Sequence, residues 1–216
     1  MNEIDFQIDS HNIGILTINR PHVHNALNWT AMQAYPTRDD GLRLATIMGN
    51  ALARLEALPC ITIAAINGPA RGGGAEIAVA CDLRVMDEVA DIGFVQVRMG
   101  ISTAWGGGQR LLRAIGYSRA LELLATGRVI SAADALGLRL VNLVTAAGEA
   151  CTAARHMAEQ IAANPPDATQ AAKRILRLPL THPDGTAFEA ERAEFPALWD
   201  TEFRREAVRK FLNRNK

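Results

Sequence analysis

Three consecutive glycines followed two residues later by a carboxylate are the pattern in this chain best suited to chemistry. They lie in the run Asn67-Gly68-Pro69-Ala70-Arg71-Gly72-Gly73-Gly74-Ala75-Glu76, between an apolar strand pattern, Ile61–Ile66, and a helix pattern, Ile77–Cys81. Glycines that open a helix leave its first N–H groups without side-chain cover. Those groups have no partner within the helix, and the aligned peptide dipoles add partial positive charge there. Such a helix start receives an anion, or an oxygen that becomes anionic during a reaction. Glu76 places a carboxylate in the first turn beside it, and carbonyl chemistry needs that combination. The competing reading is that the glycines only let a helix pack closely on a strand.

The elements that must hold this unit follow from pattern and punctuation. Phe6–Asp9 and Ile13–Ile18 read as two strands joined by Ser10-His11-Asn12, and Pro21 ends the second. Asn28 reads as the N-cap of a helix over 29–35, and 36–41 as a break. A long amphipathic helix is expected from Leu42 to Leu58, closed by Pro59. After the glycine unit come a strand at 83–86 and a second glycine-rich loop, Gly100–Gly108. That loop contains Trp105-Gly106-Gly107-Gly108 and feeds a helix over 109–115. Ser131-Ala132-Ala133-Asp134 resembles a capping box, and Val141–Val144 a short strand. From about Ala146 the pattern is helical, broken at Asn164-Pro165-Pro166 and at His182-Pro183-Asp184-Gly185. Two further amphipathic helices are expected over 188–211. The outline is α/β, with 1–145 forming the core and 146–216 a helical C-terminal region.

Composition narrows the function classes. The chain has 216 residues, 49% of them hydrophobic, and zero formal net charge. That balance argues against a nucleic-acid partner, which selects a basic excess. No apolar run reaches the roughly 18 residues of a membrane span. The N-terminus lacks a secretory pattern, and the three widely spaced cysteines Cys60, Cys81 and Cys151 read as reduced thiols, so a cytoplasmic location is expected. His22 and His24 have no further ligands nearby, and no metal site is expected.

Several ordered motifs together resemble the crotonase superfamily, the enoyl-CoA hydratase and isomerase group. They are Ile18-Asn19-Arg20-Pro21 with Asn25-Ala26-Leu27-Asn28, then Ala64 through Asp82, then Gly100–Leu111, then Leu124–Val144 with Thr126-Gly127 and Ser131-Ala132. The resemblance implies a spiral core of ββα repeats, a helical trimerisation region, and assembly as a homotrimer or a dimer of trimers. It implies an acyl-CoA thioester substrate, with coenzyme A entering as part of that substrate and no separate cofactor. The N–H of Gly73 is then expected to bind the thioester oxygen, with a second N–H from an earlier turn. Glu76 becomes the candidate for proton transfer, and substrate contacts are implied at Ala26, Gly72, Trp105 and Gly106.

Three departures from the family pattern bear on the reaction. Hydratases of this group use two glutamates, and twenty positions after Glu76 this chain has Gln96, which neither takes nor gives a proton at neutral pH. The stretch Phe94–Ile101 followed by Trp105-Gly106-Gly107 is closer to the ethylmalonyl-CoA decarboxylase-like branch. Finally, between Tyr35 and Leu42 the family has a further strand and turn, on the order of 30 residues for one such unit; here only 36–41 remain. Either the sequence lacks a segment of the natural protein or the chain is a shortened variant, and the intact motifs on both sides favour the first. Loss of one oxyanion donor costs about 10²–10³ in rate. The expected function is therefore an acyl-CoA lyase working through a thioester enolate, by decarboxylation of a malonyl-type ester or by single-glutamate hydration. The alternatives are Δ3-Δ2 enoyl-CoA isomerisation and a catalytically inactive acyl-CoA-binding homologue.

Overall fold

The computed structural model describes residues 3–19 and 37–181, together with Thr186, Arg192, Glu202 and Glu206. The expected helix over 29–35, the N-cap Asn28 and the substrate contact Ala26 lie outside the described residues. So do the helices expected over 188–211, apart from Arg192, Glu202 and Glu206, which are helical. The chain forms two compact units, one of Met1–Leu58 with Thr62–Glu159 and one of Pro59–Ile61 with Gln160–Lys216.

The first unit repeats a simple theme. Strand β3 (Ile63–Ile66) and the short β4 (Ala70–Arg71) lead into helix α2 (Gly73–Ala80). Strands β5 (Leu83–Asp87) and β6 (Asp91–Gly93) follow, then a 3₁₀ turn at Val95–Met99 and helix α3 (Gly107–Ile115). Helix α4 (Tyr117–Thr126), β7 (Val129–Ser131), helix α5 (Ala132–Gly137) and β8 (Leu143–Thr145) complete the sequence of turns. In the two strand–strand–helix units the first strands, β3 and β5, pair in parallel, and β8 adds in parallel beside β5. The second strands, β4 and β6, pair in parallel in another sheet, to which β7 adds antiparallel beside β6. Buried strands of this kind read as apolar runs because both faces are covered. Met86, Ile92, Phe94, Leu111, Leu123 and Leu140 pack into one core between them. Helix α6 (Ala150–Ala162) follows, and the carboxylate of Asp87, buried at the end of β5, accepts a hydrogen bond from Ala150 N at 2.8 Å.

The N-terminal hairpin forms as expected. Strands β1 (Ile4–Ile8) and β2 (Gly14–Ile18) are antiparallel, and Asn12 takes a left-handed φ of 59° in the turn. Helix α1 (Arg38–Glu56) starts four residues before the expected Leu42. Stretch 36–41 reads as a break because of its Pro and Gly. Thr37 overrides this by capping the helix: its hydroxyl accepts from Asp40 N, while its own N–H donates to the Asp40 carboxylate, each at 3.2 Å. That capping box satisfies N–H groups the helix cannot, and Asp39 and Asp40 suit its positive end. It outweighs the roughly 1 kcal/mol cost of Gly41 inside the helix.

In the second unit, helix α7 (Pro166–Thr181) begins at the expected proline break. It carries a buried lysine, Lys173, whose Nζ donates to the Cys60 carbonyl at 2.9 Å. Cys60 and Cys151 are exposed thiols, while Cys81, expected to be buried, is only partly so. Among the described residues no helix is long and apolar enough to cross a membrane, and no cluster of side chains could hold a metal ion.

Helix α2 is anchored at its far end by Arg84. The guanidinium donates to the carbonyls of Cys81 at 2.7 Å and Leu140 at 2.6 Å, with a longer contact to Ala78 at 3.5 Å. Burial pushes this arginine down from its ordinary pKa, and the nearby side chains of Cys81 and Asp82 work against that shift. Arg84→Met removes donors from buried carbonyls and should lower stability by about 2–3 kcal/mol in denaturant unfolding. A second prediction concerns Asp40, which the Thr37 hydroxyl holds below the usual carboxylate value of 3.8. A lowered folded-state pKa contributes stability above the unfolded value, lost as pH falls through the folded one. The stability difference between wild type and Asp40→Asn should therefore be largest above pH 3.8 and shrink below it, as followed by unfolding across an acid series.

Candidate active site

Helix α2 is built almost wholly of small and apolar residues, Gly-Gly-Ala-Glu-Ile-Ala-Val-Ala, so it can lie inside the core. Glu76 is its one charged side chain and is only 2% exposed. A buried carboxylate is unfavourable unless hydrogen bonds replace water, and here three donors do so. Gln96 Nε2 donates to Oε1 at 2.9 Å, and the backbone N–H groups of Trp105 and Gly107 both donate to Oε2 at 2.9 Å. The sequence expected Glu76 and Gln96 to face each other across a site; the structure joins them directly.

The helix start matches the sequence expectation. Gly72 has φ of 57° and ψ of −116°, a conformation that favours glycine, and provides no side-chain cap. Its own N–H is taken by the Gly93 carbonyl at 2.8 Å. The N–H groups of Gly73 and Gly74 come next, at the first turn, where the helix has no carbonyl for them. Gly73 must be glycine for a second reason. A Cβ there would fall 2.5–2.6 Å from the Trp105 ring, so the indole lies flat against the helix start. Trp105 is 8% exposed and packs with Leu52 and Ala80.

The loop bearing Trp105 is tied from the other side. Arg110, 7% exposed, donates from one guanidinium nitrogen to the Trp105 carbonyl at 2.7 Å. It also grips Glu56 of α1 through Nε at 3.0 Å and a second guanidinium nitrogen at 2.8 Å, and Arg113 takes the other Glu56 oxygen at 2.8 Å. Gly106, with φ of 88°, makes the turn between them. Sequence reading found Trp105 and Gly106 but not Glu56, Arg110 or Gly107; nothing in their spacing links residues 54 positions apart.

Four of the expected site residues, Gly72, Gly73, Glu76 and Gln96, thus meet with Trp105 and Gly106 around one helix start. Arg71, just before the glycines, is paired with Asp91 at 2.8 Å. Asp82 accepts from Thr62 N and Thr62 Oγ1, each at 2.8 Å, and so fixes the entry to β3. Among the described residues one buried side-chain polar atom stands apart: Oε1 of Gln96 has no hydrogen-bond partner there.

The carboxylate leaves no room beside Gly107. A Cβ there would fall 2.7 Å from Glu76 Oε2 and 2.9 Å from Cδ. Gly107→Ala should displace Glu76, lowering stability by about 1–3 kcal/mol through overpacking. Thermal unfolding measures that, and Gly108→Ala, whose Cβ would meet the Thr103 hydroxyl at 2.9 Å rather than the carboxylate, should leave Glu76-dependent activity less affected.

Comparisons with known proteins place this geometry in a family. The family described as Enoyl-CoA hydratase/isomerase matches residues 39–216. An ethylmalonyl-CoA decarboxylase of Mus musculus is 30% identical over 247 residues, covering 96% of this chain and 77% of that protein. A short-chain-enoyl-CoA hydratase of Clostridium acetobutylicum is 36% identical over 171 residues, covering 79% of this chain and 66% of that protein. Among solved structures, an enoyl-CoA hydratase from Bacillus anthracis superimposes with a TM-score of 0.89 at 27% identity, covering 99% of this chain and 97% of that one. The alignment to the mouse protein runs over 247 positions while taking in 96% of a 216-residue chain, so the relative has about 40 positions with no counterpart here. By its fold and by the match over 39–216, the chain belongs to the enoyl-CoA hydratase/isomerase family of the crotonase superfamily.

Proposed function

We propose that the protein is an acyl-CoA lyase that works through a thioester enolate, by decarboxylation of a malonyl-type CoA ester. The N–H of Gly73 takes the thioester oxygen, Gly72 and Gly106 give the backbone room to approach it, and the Trp105 indole walls the acyl site. Ala26 completes the substrate contacts in this reading. The bond between Cα and the substrate carboxylate breaks, its electron pair enters the enolate, and CO2 leaves. Oxyanion donors carry such a step, and no base is needed to start it. Coenzyme A comes with the substrate, and no further cofactor takes part.

The observation that carries this reading is the hydrogen bond from Gln96 to Glu76. Two-sided addition of water wants an acid and a base in concert, and the partner of Glu76 is an amide. An amide at 96 also avoids a second negative charge, which a substrate carboxylate would meet as repulsion. The mouse relative's name, ethylmalonyl-CoA decarboxylase, supports the same choice. Single-glutamate hydration is the second reading, favoured by the carboxylate itself: Oε1 of Glu76 accepts a hydrogen bond from Gln96 and retains capacity for a water. A homotrimer or dimer of trimers in the cytoplasm belongs to the same proposal, and light scattering checks the assembly.

Methylmalonyl-CoA and ethylmalonyl-CoA should release CO2, while crotonyl-CoA should keep its conjugated absorbance. Hydration of crotonyl-CoA without CO2 release would replace the first reading by the second. Double-bond migration in a 3-enoyl-CoA alone would make the protein an isomerase, and binding without turnover an inactive homologue. Under the hydration reading, Glu76→Gln should lower hydration turnover by at least about 10²-fold with CoA-ester affinity retained. Unchanged turnover would remove Glu76 from the mechanism.

A further inference from the structure

The decarboxylation reading leaves an enolate that must gain a proton at Cα, and the obvious carboxylate is badly placed to give one. Glu76 is met by three N–H donors, two on Oε2 and one on Oε1. Every one of those bonds requires the carboxylate to accept, and an ionised carboxylate has no proton to donate. Trp105 and Gly107 contribute through backbone N–H groups already committed to Glu76. Among the described residues, Oε1 of Gln96 is the buried side-chain polar atom of the cluster that has no partner.

The orientation of that amide is dictated by its neighbour. Glu76 Oε1 can only accept, so the NH2 group of Gln96 must face it at 2.9 Å. Turning the amide over would set oxygen against oxygen. Oε1 is therefore the outward atom; it is buried, and the protein gives it no donor. A buried acceptor without a donor is costly, and native proteins satisfy such groups with a bound molecule when no side chain is available. The acyl end of a thioester has no N–H or O–H near Cα. Water has two, and one can bond to Oε1 while the other points away.

This atom lies close to the Glu76 carboxylate. Within the amide, Oε1 is about 2.3 Å from Nε2. With Nε2 2.9 Å from Glu76 Oε1, the unpartnered acceptor is at most about 5 Å from the carboxylate. Glu76 and Gly73 are three residues apart on α2, hence on one face, and Trp105 touches both, its ring on Gly73 and its N–H on Glu76.

We infer that Gln96 Oε1 seats the water that protonates the enolate on one face once the bond to the substrate carboxylate has broken. The step rests on the decarboxylation reading. An O–H bond of the water breaks as a C–H bond forms at Cα, and the enolate electron pair supplies the new bond. The hydroxide that remains combines with the departing CO2 as bicarbonate. The balance is malonyl-type ester plus water giving the shortened acyl-CoA plus bicarbonate, with no oxidant or reductant. Gln96 is then a catalytic-water ligand whose Nε2 is spent on orientation and whose Oε1 does the holding.

The test is the stereochemistry of the new C–H bond. The full chain is given methylmalonyl-CoA in D2O, and the configuration at C2 of the deuterated propionyl-CoA is determined. Wild type should deliver deuterium to one face. Gln96→Met keeps an unbranched side chain without a polar atom; the propionyl-CoA it forms should carry deuterium in both configurations in equal amounts. Wild-type product that is already an equal mixture would overturn the inference, whatever the variant's fate. So would Gln96→Met product as one-sided as wild type. Absence of CO2 release from wild type is a different outcome: it overturns the decarboxylation reading, and the inference goes with it.

Discussion

The burial of one carboxylate organises this structure. Glu76 sits inside an otherwise apolar helix, and a charge in that setting must be surrounded by donors or be a source of instability. Its three donors come from two separate stretches, the 3₁₀ turn at 95–99 and the loop at 105–107. Meeting the needs of one side chain therefore ties three segments of the chain to a common point. The glycine at 107 follows from the same demand, since the carboxylate occupies the space a side chain would need. The glycine at 73 follows from the Trp105 ring that the loop carries.

The rest of the unit holds that point in place from outside. At the C-terminal end of α2, Arg84 gathers the carbonyls of Cys81 and Leu140, and at the start of β3 Asp82 fastens Thr62. Beyond the Trp105 loop, the buried Arg110 joins the Trp105 carbonyl to Glu56 at the end of α1. Arg110 presents a planar fork with several donors, which is why one residue can hold a backbone carbonyl and a carboxylate together. These contacts are polar and partly or wholly buried, so each is worth more than an exposed pair, and each is costly to break on one side only.

The fold was readable where periodicity runs long enough to speak. The β1–β2 hairpin, α2, α3 and the break before α7 lie close to where pattern and punctuation put them. Strands β4, β6 and β7 have two or three residues, too few for a period of two to register. Helix α4 follows Gly116 at φ of 79°, a glycine start with no capping side chain to announce it. The start of α1 was misread because Pro and Gly spoke louder than Thr37 and Asp40. Within the site, the glycine run and Glu76 were legible from local sequence, and Gln96, Trp105 and Gly106 through the family pattern. The direct bond between Glu76 and Gln96 was not, nor were Arg110 and Glu56. Those depend on which loops return to one helix, a long-range fact that no spacing encodes.

The replacement of an acid by an amide does more than subtract a proton. Two carboxylates at 76 and 96 would repel when both are charged and would share a proton at closest approach. Their hydrogen bond would then have no fixed direction. With Gln96 the direction is fixed, because a carboxylate only accepts and the NH2 group must face it. The pair carries one charge, placed on Glu76 and surrounded by donors. Its outer atom is a neutral acceptor. A neutral acceptor orders a donor such as water without taking its proton, whereas a free carboxylate in the same place competes for it. In the proposed decarboxylation the amide would bias the site from proton exchange with side chains toward proton delivery from an oriented solvent molecule, and that bias would follow from the polarity of one hydrogen bond, 2.9 Å long, in the interior of the first unit.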